Sequence, residues 1–259
     1  MYNKMKKYGY FLSVVVMLFC SLTCGAQKLT VAVAANMQYV VEELLPIFKT
    51  ETGIDVDLVV GSSGKLATQI TEGAPFDVFI SADMKYPNEL FHKGLATVPA
   101  KEYAQGKLVL WTNTHGIQPT ANLKVLLQNS IVKIAVANPK TAPYGEAAEQ
   151  AMKYYKVYNQ VKDKLVYGES IGQAQQFIDT KAAEIGFIAK SQVLTDEMMG
   201  KGFWIEIDKK AYAPIMQGAV ILKHGKMTNA YGAKHFFEFL FTTEAKTVFK
   251  KYGYIVSAK

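Results

Sequence analysis

Cysteine is almost absent. Only Cys20 and Cys24 occur, both within the first 26 residues, so no disulfide framework can brace the body of the chain. No internal stretch reaches the roughly 18 apolar residues of a membrane span. Charged residues make up 20% of the chain while half is hydrophobic, a balance that excludes a disordered polypeptide. There is no Lys/Arg run, no basic stripe with interleaved aromatics and no low-complexity segment, which argues against nucleic acid as a partner. The four histidines (His92, His115, His224, His235) stand alone, without H-E-x-x-H or H-x-x-H spacing and without cysteine to complete a zinc site. They read as surface residues.

Several enzyme motifs are lacking too. Ser62-Ser-Gly-Lys65 matches S-x-x-K, but no S-D-N or K-T-G partner accompanies it. Gly61–Lys65 is not G-x-S-x-G, because lysine holds the last position. It is not a phosphate-binding P-loop either, since the spacing is short and Leu66 replaces Ser/Thr. Asp77 and Asp83 flank a strand and could form a carboxylate pair, although Asp83 is better placed to cap the next helix.

What is present begins with an address. Lys4, Lys6 and Lys7 precede the apolar run Phe11–Leu22, and Cys24-Gly-Ala26 supplies small residues before Gln27. This reads as a secretory signal cleaved after Ala26, with export to the periplasm. An uncleaved anchor would need a longer apolar core. Lipid attachment at Cys24 is the alternative, but Ser21-Leu22-Thr23 is a poor lipoprotein signal. Cleavage removes three lysines and no acid, lowering the formal charge from +7 to +4.

Downstream, short β-rich runs alternate with helical windows. Expected strands are Leu29–Val33, Val56–Val60, Val78–Ile80, Leu108–Trp111, Ile131–Ala137, Leu165–Tyr167, Glu184–Ile188 and Ala219–Leu222. Expected helices are Met37–Lys49, Lys65–Thr71, Pro87–His92, Gly145–Tyr155, Gly172–Thr180, one near Gln192, Ala230–Phe241 and Glu244–Tyr252. In the first helix Val40, Val41, Leu44, Leu45 and Phe48 share a face. Such alternation predicts an α/β protein with parallel sheets covered by helices. Lys101–Gly106 and Ala211–Gly218 read as connectors between two sheets. The organisation expected is a signal peptide 1–26, a first lobe 27–106, an inserted lobe 107–213 and a return to the first lobe over 214–259.

Ligands in such folds sit beyond the carboxyl ends of strands or between domains. Four strand-to-helix junctions share one chemistry: Ala34-Ala35-Asn36, Gly61-Ser62-Ser63-Gly64, Asn138–Gly145 and Gly168–Gly172. Each offers first-turn N–H groups together with hydroxyl or amide side chains. Several helix N-termini aimed at one cleft bind an anion without formal positive charge. Capping explains any single junction better than binding does, with Asn36 placed to cap the helix that follows it. A secreted serine hydrolase using Ser62 and Lys65, or an interaction module without ligand, are the readings from other classes.

The motifs Val31–Asn36, Gly61–Ile70, Gly73–Asp83, Gly106–Trp111, Asn138–Gly145, Ser170–Ala174 and Gly186–Ile188 occur in the order seen in the periplasmic molybdate-binding proteins of ABC transporters, which this chain resembles over nearly all of its length after the signal. The run G-A-P-x-D-V-F-I-S-A-D followed by A-P-Y-G is the specific part. The resemblance implies a two-lobed, type II periplasmic-binding-protein fold whose lobes are joined by crossing strands and close on a dehydrated oxyanion. By position it assigns ligand donors to Asn36, Ser63, Tyr144 and the backbone N–H of Ile171, with Ala35, Ser62 and Gly172 secondary. Ala35 stands where some members carry threonine, and Ala189 where members lacking A-P-Y-G place a tyrosine. Molybdenum or tungsten would enter only as the bound oxyanion, with no cofactor and no catalysis. The implied partner is a membrane permease, the protein itself acting as a monomer.

A deprotonated oxyanion calls for donors and no carboxylate. Glu169 is the one carboxylate in the four loops, and its side chain is expected to point away. Sulfate or another tetrahedral oxyanion is the alternative ligand. Lys65, Tyr39, Phe76, Tyr86 and the methionines read as surface or core.

Overall fold

The computed structural model describes residues 28–256; the expected signal sequence, its expected cleavage site and Cys24 lie outside the described residues. Among the described residues, ten strands are shared equally by two sheets. The first contains β1 (Leu29–Ala34), β2 (Val56–Gly61), β3 (Val78–Ile80), β4 (Lys101–Gly106) and β10 (Ile215–Ile221), in the order β2-β1-β3-β10-β4. The second contains β5 (Leu108–Thr112), β6 (Ile134–Ala137), β7 (Leu165–Gly168), β8 (Ile185–Ala189) and β9 (Phe203–Glu206), in the order β7-β6-β8-β5-β9. Both repeat one plan. Three parallel strands form a block, and two further strands extend it with antiparallel pairing.

Side chains of the first sheet separate by the two-residue period of a strand. Leu29, Val31 and Val33 pack on one face against Val40, Val41, Leu44 and Phe48 of the helix Gln38–Thr52. Ala32, Phe79 and Val220 pack on the other against Leu66, Ile70 and Leu90. The apolar stripe expected on the first helix is therefore its buried face, with Leu45 at the margin. That helix ends at Gly53, whose left-handed φ of 72° lets its N–H return to Lys49 O.

Two expected connectors are strands. Lys101–Gly106 is β4, and the second half of Ala211–Gly218 belongs to β10, which begins at Ile215. Lys-Glu-Tyr-Ala-Gln-Gly has too few apolar residues to read as a strand because β4 lies at a sheet edge, where one side of the ladder and part of its surface meet solvent. β9, likewise at an edge, has no counterpart in the expected elements. The chain crosses from one sheet to the other at Lys107 and again between Glu206 and Ile215. Helix starts also fall earlier than expected, at Ser63, Lys85, Pro143 and Ile171, so the junction residues themselves form the first turns.

Candidate oxyanion site between the lobes

A small cavity lies between the sheets, walled by Ala34, Ala35, Asn36, Gly61, Ser62, Ser63 and Ala82 from one side and Ala142, Pro143, Tyr144 and Ile171 from the other. Six of the seven candidate residues from the sequence line it. Gly172 does not; it packs beside Ala35, where an added Cβ would lie 3.5 Å from the Ala35 methyl. Ala189 is also absent from the wall, and its N–H is taken by Gln192 Oε1 at 2.8 Å.

The capping expectation fails at three of the four junctions. Ser62 occupies the N-cap position of the helix Ser63–Thr71 yet makes no side-chain cap bond. The helix Pro143–Tyr154 starts from Ala142, which has no capping group, and the short 3₁₀ turn Ala35–Met37 starts from Ala34. Only Ser170 caps, accepting from the Gln173 N–H at 3.3 Å. First-turn N–H groups at the other three have no side chain to satisfy them.

The hydroxyls are arranged to donate. Ser63 is buried, and its Oγ accepts the Ala82 N–H at 2.9 Å, so its own proton is left for another acceptor. Ser62 Oγ is buried with no hydrogen-bond partner at all. A hydroxyl orphaned in this way is costly unless something else occupies the cavity. Tyr144 is fully buried, and burial, reinforced by the neighbouring phenols Tyr254 and Tyr103, holds its hydroxyl well above the usual tyrosine range. It is a permanent donor at neutral pH.

Asn36 behaves differently from expectation. Rather than capping, its Nδ2 donates to Gln217 Oε1 at 3.0 Å and to Tyr254 Oη at 2.8 Å, which engages both amide protons. Any donor that Asn36 gives the cavity is its backbone N–H. Gln217, Tyr103 and Tyr254 form a buried polar group behind the wall that was not anticipated. A glutamine inside the otherwise apolar Ile215–Ile221 is the one sign of it in the sequence; Tyr254 has none.

No Lys, His, Asp or Glu lines the cavity, and the whole sequence contains no arginine. Among the described residues no group of three or more His, Cys, Asp or Glu is placed to hold a metal ion. Glu169 points to the surface as expected and pairs there with Lys65 across the cleft at 2.8 Å. Gly64 N–H bonds Thr141 O at 2.9 Å, and Tyr86 Oη bonds Lys140 O at 3.3 Å, so both Lys65 and Tyr86 span the two lobes. Asp77 and Asp83 form no pair. Asp77 accepts the Thr30 N–H and meets His224 Nδ1 at 3.0 Å, while Asp83 accepts the Tyr86 N–H in the first helical turn.

Two sheets of like topology, two crossings and a neutral, donor-lined cavity between them define a solute-binding protein of the type II periplasmic class. The chain belongs to the bacterial extracellular solute-binding protein family, whose model matches residues 29–255. It is 40% identical over 237 residues to the molybdate-binding protein ModA of Rhodobacter capsulatus, covering 91% of each chain. It is also 40% identical over 236 residues to ModA of Azotobacter vinelandii, covering 90% of this chain and 92% of that one. The solved Azotobacter vinelandii periplasmic molybdate-binding protein superposes with a TM-score of 0.83 at 33% identity, over 89% of this chain and all of that one. The sulfate-binding protein SubI of Mycobacterium tuberculosis shares the fold alone, with 14% identity and a TM-score of 0.71.

Proposed function

We propose that this protein captures molybdate, with tungstate as its near equivalent, in the cleft between its lobes and delivers it to the permease of an ABC transporter. The observation that carries the reading is the wall itself. Three uncapped helix starts and the partnerless Ser62 hydroxyl converge, with Ser63 and Tyr144, on a space without any formal charge. Donors to the anion are Ser62, Ser63 and Tyr144 through their hydroxyls, and Asn36, Ala35 and Ile171 through backbone N–H groups. Gly172 supports the loop rather than the ligand. Hydrogen bonds to a charged group contribute about 1.5–3 kcal/mol each, so five or six, less desolvation and closure, support sub-micromolar affinity.

Residues 107–213 are the lobe that moves against the remainder, and the closed shape is what the permease recognises. Export to the periplasm by the N-terminal signal, action as a monomer and the absence of any cofactor complete the reading. No covalent step is involved. A Ser62–Lys65 hydrolase would need the base bonded to its nucleophile, whereas Ser62 Oγ has no partner and Lys65 Nζ is held by Glu169. Lys65→Ala is accordingly expected to change molybdate affinity by less than about five-fold, because a half-exposed ion pair contributes about 0–1 kcal/mol. Calorimetric titration checks this, and a complete loss of binding would reopen the role of Lys65.

The direct test is thermal unfolding of residues 27–259 with molybdate, tungstate, sulfate, phosphate or no ligand. At about a thousand times the dissociation constant a ligand adds roughly 4 kcal/mol, or about 8–16 °C for a chain of this size. Shifts with molybdate and tungstate alone are expected. An equal shift with sulfate would transfer the substrate to sulfate, and no shift with any oxyanion in ligand-free protein would overturn the reading.

A further inference from the structure

The Tyr144 hydroxyl sits between the cavity and a fully buried glutamine. Gln217 Nε2 donates to Tyr144 Oη at 3.2 Å, and the same side chain's Oε1 accepts from Asn36 Nδ2 at 3.0 Å and from Tyr103 Oη at 2.8 Å. Asn36 Nδ2 favours the amide orientation with Nε2 toward Tyr144, because an oxygen turned that way would leave one N–H₂ facing another; Tyr103 shares its one proton between Gln217 Oε1 and Ser81 O at 3.0 Å. With one lone pair engaged by Gln217, Tyr144 keeps its single O–H proton, for which the neighbouring Tyr254 Oη and the cavity are the two outlets.

The surroundings are built for this contact. Gln217 lies on β10 and Tyr103 on β4, the two strands that lead into the crossings between lobes, while Asn36 belongs to the first lobe and Tyr144 to the second. Gly106, the last residue of β4, leaves the necessary space. A Cβ there would overlap the Tyr144 hydroxyl and lie 2.5 Å from Gln217 Nε2. The β10–β4 register also shifts between Gln217 and Gly218, an irregularity at the residue whose side chain is turned to this use.

We infer that Gln217 is a positioning residue for oxyanion binding: it orients the Tyr144 hydroxyl proton into the cavity and ties that orientation to the hinge strands and to Asn36. This rests on the proposed oxyanion function, and the experiment separates the two. Molybdate affinity is measured by calorimetry on the wild type, Gln217→Leu, Tyr144→Phe and the double variant, each with its ligand-free melting temperature. If the wild type binds no molybdate, the functional proposal fails and Gln217 is not in question.

Given wild-type binding, Tyr144→Phe is expected to weaken it about ten- to hundred-fold, the worth of one bond to a charged group. Gln217→Leu should weaken it about ten-fold, and the double variant should be no weaker than Tyr144→Phe alone within about two-fold. Equal effects of Gln217→Leu in the Tyr144 and Phe backgrounds, or none in either, would overturn the inference, since a purely structural role does not need the hydroxyl. Gln217→Glu supplies a second readout. Its carboxylate takes the Tyr144 proton away from the cavity, so affinity should fall at pH 8 and recover toward pH 5, whereas the wild type stays level over that range. A variant affinity that runs parallel to the wild type across pH would count against the orientation role.

Discussion

Ser63→Ala is expected to weaken molybdate binding by about a hundred-fold or more while leaving a folded protein. Two losses combine. In the proposed site the Ser63 hydroxyl donates to the anion, and a bond to a charged group contributes about 1.5–3 kcal/mol. Its Oγ also accepts the Ala82 N–H at 2.9 Å, so the alanine variant leaves a buried N–H unpaired beside the cavity. That second loss lets the Ala82 loop, which forms part of the wall, relax from its bound geometry. Isothermal titration with molybdate measures the first effect and the ligand-free melting temperature the second. Affinity within about three-fold of the wild type would show that Ser63 is a structural serine, and would leave Ser62 as the hydroxyl donor of this loop.

Gly145→Ala is expected to be strongly destabilising, at about 3 kcal/mol or more. Gly145 stands in the first turn of the helix Pro143–Tyr154, where that helix comes down on the end of β6. An added Cβ would overlap the Ala137 carbonyl oxygen and lie 2.7 Å from its carbon and 3.0 Å from that of Asn138. These are backbone atoms in a central strand and its exit, so no side-chain rotation relieves the contact. Overpacking typically costs about 1–3 kcal/mol, and a contact with fixed backbone belongs at or beyond the top of that range. The melting temperature should fall by roughly 6–12 °C, and molybdate affinity should fall with it, because the helix start carries Tyr144. A melting temperature within about 2 °C of the wild type would mean the helix start can shift outward without cost.

Both effects give physical content to motifs that are only strings in the sequence. In A-P-Y-G the proline supplies the first helical residue without an N–H to satisfy, the tyrosine reaches the cavity, and the glycine allows the helix to sit on the strand end. In G-S-S-G the two serines have different work. Ser63 is tied to the Ala82 backbone, whereas Ser62 is untied, although they are adjacent and equally buried.

Alternation of β-rich and helical windows was enough to read an α/β chain, since strand and helix periodicities are local properties. The stripe Val40, Val41, Leu44, Phe48 is buried where that period places it. Residue types at the junctions were enough to read a neutral donor set, because an anion site built on N–H and O–H groups needs serine, tyrosine and free helix starts and no local partner. Edge strands were another matter. β4 carries a weak pattern because solvent takes one side of it, and β9, Phe-Trp-Ile-Glu, is β-prone but only four residues long; the place of each in a sheet depends on the neighbouring strand. The use of each junction residue was likewise beyond local reading. Whether Asn36 caps a helix or holds Gln217 and Tyr254 depends on residues 181 and 218 positions away. The sequence by itself determined the alternation of most strands and helices and the residue types at the junctions, since both follow from short-range periodicity and side-chain type. Only the tertiary structure decided that the junction residues share one cavity, that Gln217 and Tyr254 stand behind it and that Lys65 meets Glu169 at the surface of the cleft, because each of these is a long-range contact that no local pattern encodes.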